Sequence, residues 1–200
     1  MLKRLSSIKI WLAVAVMMLP LAHSNAQQAR YFEQPIESRV ENVSESWKVE
    51  LIPFPLDFAP DIKLIGDEEL LFAPEMYDAD SENFFSYVFV WQVKSKKLLS
   101  VEQIEADFYR YYDGLYQAVA KQVSNKTLSI RVSGSNSQGT GSIHWVEPFV
   151  TKQPQKLQFI YTQKQCELNG EVQLYVQVSP QPNVHPIWQQ MSEIKTKGCH

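Results

Sequence analysis

Glycine is scarce in this chain, at 7 residues in 200, about half the usual share. Glycine-rich nucleotide cradles and repeat arrays are therefore poor fits. Cysteine is scarcer still: Cys166 and Cys199 are the only two, too few for a disulfide-rich scaffold or a four-ligand zinc finger. No apolar run is long enough for a membrane span, since the longest, Ile10 to Ala22, has about 13 residues where a span needs roughly 20. Bases are outnumbered, 19 Lys and Arg against 22 Asp and Glu. What is present is an ordinary globular mixture, 44% hydrophobic, 12% aromatic and 20% charged. It rules out collagen-like, coiled-coil and wholly disordered chains.

Lys3, Arg4 and Lys9 precede the apolar run, and Ser24-Asn25-Ala26 offers small residues at the cleavage positions. This reads as a secretory signal peptide over residues 1–26. The expected location is periplasmic or secreted, with no membrane span after cleavage and no cysteine placed to carry a lipid. Cleavage removes three bases and no acid, which leaves 16 Lys and Arg against 22 acids and a formal charge of −6. Nucleic acid does not suit such a surface, because binding phosphate needs basic groups. An oxidising compartment makes a Cys166–Cys199 disulfide the simplest use of the pair, closing about 34 residues and contributing about 3 to 4 kcal/mol. The alternatives are a reactive thiol or a metal ligand drawn from Cys199-His200.

Residues 27–45 are polar without a sustained period and read as a loosely attached N-terminal arm. From 46 to 200 the pattern is that of one α+β domain. Trp47, Val49 and Leu51 alternate with Lys48 and Glu50, as in a half-buried strand, until Pro53 and Pro55. Asp57 to Glu82 holds nine acids against the single base Lys63 and looks strand-like only at Leu70 to Phe72. Phe84 to Val93 is apolar on both faces, the mark of a central strand. Ser100 with Gln103 is a capping-box signature, and Ile104, Phe108, Tyr111, Tyr112, Leu115 and Val119 recur on one helical face. A long helix over about 100–124 follows. Gly114 inside it implies a close backbone approach or a weak spot. Beyond Asn125 the period falls to two: Leu128 to Val132, Ile143 to Trp145, Leu157 to Tyr161 and Val172 to Val178 form a four-stranded antiparallel meander. Its best turn signal is Asn169-Gly170. A short C-terminal helix spans about Pro186 to Lys195. The sum is an antiparallel sheet of about six to seven strands with the long helix packed on its apolar face. By parity, Cys166 shares a face with Gln173 and Tyr175, so a bridge to Cys199 draws the C-terminus toward the second face.

Few residues nominate chemistry. Asp78, Asp80 and Glu82 alternate like the start of a calcium loop, but Asn83 and Phe89 stand where that loop needs Gly and Glu. They are kept as a looser candidate metal site, against a solvated acidic loop. Gly134 to Gly141 has a phosphate-loop frame without its lysine and reads as a flexible hairpin loop. There is no nucleophile elbow, no zinc spacing among the histidines and no sign of a cofactor. Arg131, His144 and Tyr175 fall on the polar side of the meander and are the candidate ligand-binding residues, against an ordinary wet face. Tyr109 and Tyr116, on the flank of the helix, either meet a partner or pack.

The string from Trp47 to Pro74, with Trp47-Lys-Val-Glu-Leu-Ile-Pro-Phe-Pro and Gly66-Asp-Glu-Glu-Leu-Leu-Phe-Ala-Pro74, resembles a family of uncharacterised exported bacterial proteins. That resemblance implies no activity. The expected function is an exported, non-enzymatic protein binding a protein or small-molecule partner in the envelope, at the polar face or at the acidic segment. The alternatives are a hydrolase assembled from dispersed acids and His144, and a structural envelope component.

Overall fold

The computed structural model describes residues 38–121, 127–166 and 169–198. Within them the order is β1 (Val40–Glu41), β2 (Lys48–Pro53), β3 (Gly66–Phe72), β4 (Tyr87–Lys94), α1 (Val101–Ala120), β5 (Ser129–Gly134), β6 (Gln138–Val146), β7 (Pro154–Cys166), β8 (Glu171–Ser179), α2 (Pro186–Glu193) and β9 (Lys195–Thr196). Seven strands form one antiparallel sheet, β2-β3-β4-β8-β7-β6-β5, and β1 pairs with β9 apart from it. The protein is an α+β fold with the long helix and the short C-terminal helix that the periodicity predicts.

The main core lies between α1 and one face of the sheet. Tyr87, Phe89, Trp91 and Val93 of β4 meet Ile104, Phe108, Tyr111 and Tyr112 of α1, joined by Ile143, Trp145, Leu157, Phe159, Tyr161 and the valines of β8. Phe108 is wedged among Phe89, Trp91 and Phe159 at ring distances of 5.6, 5.6 and 5.2 Å, the edge-on geometry that aromatic quadrupoles favour. Ser100 caps the helix as its signature implies, accepting from Gln103 N. Gly114 has its close approach: a Cβ there would sit 2.1 Å from the carbonyl oxygen of Phe58.

The second face is wet, as the alternation predicts, over β5 to β7, where Arg131, His144, Lys156 and Thr162 are exposed, but it is covered over β4 and β8. Val88 and Val90 of β4 pack against Ile187, Trp188, Met191 and Ile194, with Val40 and Trp47. Gln92, Gln173 and Gln177 are buried beneath them. The stretch from Ser38 is also firmly held: Arg39 pairs with Asp67 at 2.9 Å, Ser38 Oγ and Arg39 N donate to the Glu69 carboxylate, and Val40 is interior. Of the arm expected over 27–45, residues 38–40 are thus docked onto the domain, while Glu41, Asn42, Ser44 and Glu45 are exposed.

Two further expectations are corrected. Part of the acidic segment is strand: β3 starts at Gly66, and Asp67, Glu68 and Glu69 are all buried. Asp67 and Glu69 reach the second face, where residues 38–39 satisfy them, and Glu68 reaches the main core. The Gly134–Gly141 stretch is mostly ladder, with Gly134 paired to Gly139. Gly141 leaves the space that the Phe159 ring fills, since a Cβ there would lie 2.1 Å from it. Parity held at Cys166, which pairs with Glu171 on the face of Gln173 and Tyr175.

Candidate functional site

Strands and loops of the acidic half converge with α1 and the β6–β7 turn around one apolar hollow. Residues 54–62 turn through Ala59 N to Leu56 O and Ile62 N to Ala59 O, burying Leu56, Ala59 and Ile62. Phe58 is left leaning on Tyr111, ring to ring at 5.0 Å. Residues 73–86 fold back through Ala73 N to Ser86 O and Phe85 N to Met76 O, which carries Met76, Tyr77 and Phe85 over the end of the sheet. The turn at 147–151 is built around a carboxylate. Buried Glu147 accepts from the main-chain N–H groups of Phe149, Val150 and Thr151 and from the Thr151 hydroxyl. Burial alone would raise its carboxyl, but these bonds together hold it below the ordinary value. The turn presents Phe149 to Phe85 at 5.9 Å and to Tyr77 at 5.8 Å.

The hollow has a volume of about 230 Å³ and is walled by Ile52, Phe58, Leu70, Phe72, Phe85 and Phe149, among others, with Glu50 at its edge. Its polar groups are few: Glu50 and the phenols of Tyr77, Tyr87 and Tyr111. Tyr77 is half exposed, and its phenol is raised by burial and by the charges of Glu50 and Glu147, so the mouth carries negative potential. Tyr87 and Tyr112 share a hydrogen bond. Beneath the walls lies Glu68, fully buried. Its Oε1 accepts from Trp91 Nε1 at 3.0 Å, while Oε2 has no hydrogen-bond partner. Burial pushes this carboxyl up to about 8, although Trp91 and the neighbouring Tyr111 phenol favour its charged form.

The candidate ligand-binding residues share the second face but do not meet. Arg131 pairs with Ser142, and His144 with Ser129 and Lys156. Tyr175 pairs with Thr162, itself opposite Gln138, six residues or about 20 Å along β6 from His144. Tyr175 is half-buried under α2, donating to the Met191 carbonyl at 2.5 Å, and burial raises its phenol to about 12. His144 is exposed. Asp78, Asp80 and Glu82 sit in the exposed 74–84 turns, where Asp78 accepts from Asp80 N and Glu82 lies 4.0 Å from His185. Among the described residues no three potential metal ligands converge. Tyr116 packs, whereas Tyr109 is exposed on an open groove of about 620 Å³ between α1 and β5, beside Arg110 and Arg131. Cys166 is buried at the end of β7. Its expected partner Cys199, like the signal-peptide residues, lies outside the described residues.

The hollow is not legible in any one stretch of sequence because seven separate segments supply its walls. Phe58, Phe72, Met76 and Tyr77 were the available signal, apolar residues set among acids. No helix among the described residues is long and apolar enough to cross a membrane. No protein family, curated protein or solved structure matches the chain.

Proposed function

We propose that the protein is an exported, non-enzymatic binding protein of the periplasm or the extracellular space, and that its site is the aromatic hollow at the acidic end of the sheet. One observation carries this: an apolar cavity of about 230 Å³ with few polar groups, the ordinary make-up of a recognition site. Its size sets what it takes. It is smaller than the roughly 300–1,000 Å³ of sites for whole small molecules, so it suits a single aromatic or branched side chain. Burying one such group contributes about 1.5–3 kcal/mol, less than the roughly 4 kcal/mol of a millimolar complex. A useful partner must therefore make further contacts outside the hollow.

The hydrolase reading needs His144 beside a carboxylate and a hydroxyl in a deep pocket, and nothing in the surroundings of His144 favours it. The envelope-component reading needs a broad apolar patch, and the exposed large apolar residues Val49, Ile65, Tyr77, Tyr109, Val150 and Val184 lie on separate elements. Export rests on residues 1–26 and on the resemblance of Trp47–Pro74 to exported proteins. The Cys166–Cys199 bridge belongs to the same reading. Its support is that Lys164, two residues before Cys166, donates to Thr196 Oγ1 at 3.0 Å and to the Lys197 carbonyl at 3.2 Å. Intact mass before and after reduction and alkylation tests the bridge, and two free thiols would remove it.

The site is tested by titrating the protein with N-acetylphenylalaninamide while following the Met76 methyl carbon by NMR. A saturable shift is expected, abolished in Leu115→Trp, whose indole fills the hollow. No shift up to the solubility of the probe would reject the site.

A further inference from the structure

We infer that the outer edge of β2 is a docking site for an extended peptide strand, which adds to the sheet and lowers an aromatic or branched side chain into the neighbouring hollow. This inference rests on the binding reading above and names its partner class. The register carries the first half. Phe54 N donates to Gly66 O, and the same ladder pairs Ile52 with Glu68, Glu50 with Leu70 and Lys48 with Phe72. Bonded pairs in an antiparallel ladder recur at every second residue, so Lys48, Glu50 and Ile52 turn their main-chain groups toward β3. Val49 and Leu51 turn theirs outward. Among the described residues no strand pairs with that side of β2, and Val49 is 53% exposed.

The second half is where the side chains go. Those of Glu50 and Ile52 stand on the α1 face and line the hollow. A strand laid along β2 would place its residue opposite Glu50 or Ile52 on the same face, over the mouth. Main-chain bonds would then supply the contacts that the hollow alone lacks, with the hollow selecting the side chain. Charge narrows the partner further. Glu50 is exposed at the edge of the hollow, and exposed Asp57, Glu75 and Asp78 adjoin its lining residues Phe58, Met76 and Tyr77. Of the residues of β2 only Lys48 is basic. The partner is therefore a peptide whose apolar residue is flanked by lysine or arginine.

The test uses the full-length protein, 15N-labelled, and three probes: acetyl-Lys-Thr-Phe-Thr-Lys-amide, the same peptide N-methylated at alternate residues, and N-acetylphenylalaninamide. The plain peptide is expected to shift the Val49 and Leu51 amides and to bind about tenfold more tightly than N-acetylphenylalaninamide, the gain of about two net hydrogen bonds. N-methylation on the bonding side should erase that gain. Val49→Pro, which removes only an outward N–H on an edge strand, should lose the gain yet keep the response of Met76 to N-acetylphenylalaninamide. Equal affinity of the plain and N-methylated peptides, or silent Val49 and Leu51 amides while Met76 responds, overturns strand addition and leaves the hollow standing. If Met76 responds to no probe, the binding reading falls as well.

Discussion

The two edges of the sheet are treated in opposite ways. At the β5 edge, α1 lies alongside and its Glu105 carboxylate accepts from the outward Val132 N at 3.0 Å, while Arg131 Nη1 closes onto the Ile130 carbonyl at 3.1 Å. At the β2 edge the outward groups of Val49 and Leu51 meet no other strand of the described residues. Unpaired edges invite other chains, and proteins usually cover or charge them. Here one edge is covered by the protein's own helix, and the other is left open beside an aromatic hollow. What lies beneath differs too. Under β5 the layer is apolar, Ile130 over Ile143, whereas under β2 the residue opposite Ile52 is the carboxylic acid Glu68.

The largest effect should come from that acid. Its folded value, raised to about 8 by burial, means the folded state keeps a proton that the unfolded chain releases near the ordinary carboxylate value. The contribution of Glu68 to stability is therefore full below the ordinary carboxylate range and declines as pH rises toward 8, by up to about 1.4 kcal/mol per unit. Glu50 faces the same group from β2 and adds to the shift. Glu68→Gln should flatten the decline and stabilise the protein at pH 8 by roughly 3–5 kcal/mol, read by urea denaturation at several pH values. Hydrogen exchange in the unmodified protein should loosen at β2 and β3 before β5 and β6 as pH rises.

Gly114→Ala comes next. The added methyl meets the Phe58 carbonyl, and overpacking of this kind costs about 1–3 kcal/mol, partly offset by up to about 1 kcal/mol of helix propensity. The net loss should come with a weaker N-acetylphenylalaninamide response, because Phe58 walls the hollow. Glu105→Ala makes the two edges alike. Leaving Val132 N unpaired should cost roughly 1 kcal/mol, and light scattering should show stronger concentration-dependent association than in the unmodified protein. Arg131→Ala should be the mildest change, within about 0.5 kcal/mol in the same denaturation assay, since it bares one carbonyl that water can reach.

Much of this comparison could be read from the chain, and its key parts could not. The meander was legible because Leu157, Phe159 and Tyr161, like Val172 to Val178, alternate cleanly, and the helix because Ile104, Phe108, Tyr111 and Leu115 keep its period. The first half of β3, Gly66 to Glu69, was missed for an electrostatic reason. Acids suggest a loop, yet Asp67 and Glu69 are satisfied by residues 38–39, whose docking local pattern does not reveal, and Glu68 has the parity of Leu70 and Phe72. The covered part of the second face looked wet because glutamines there count as polar, and nothing local says that α2 will cover Tyr175. Parity correctly placed Arg131, His144 and Tyr175 on one face. Their separation along the strands depends on register, which alternation does not encode. The hollow draws on β2, β3, β4, two loops, α1 and the 147–151 turn, so no single window of sequence contains it.

The central claim is that binding happens at the open edge and not at the covered one. Intermolecular NOEs between 15N,13C-labelled protein and unlabelled acetyl-Lys-Thr-Phe-Thr-Lys-amide test it most directly. The account predicts contacts from the peptide phenylalanine ring to Phe72, Met76 and Phe149, together with main-chain contacts along Val49 to Leu51. Contacts confined to the Tyr109 and Arg131 groove beside β5 would contradict it.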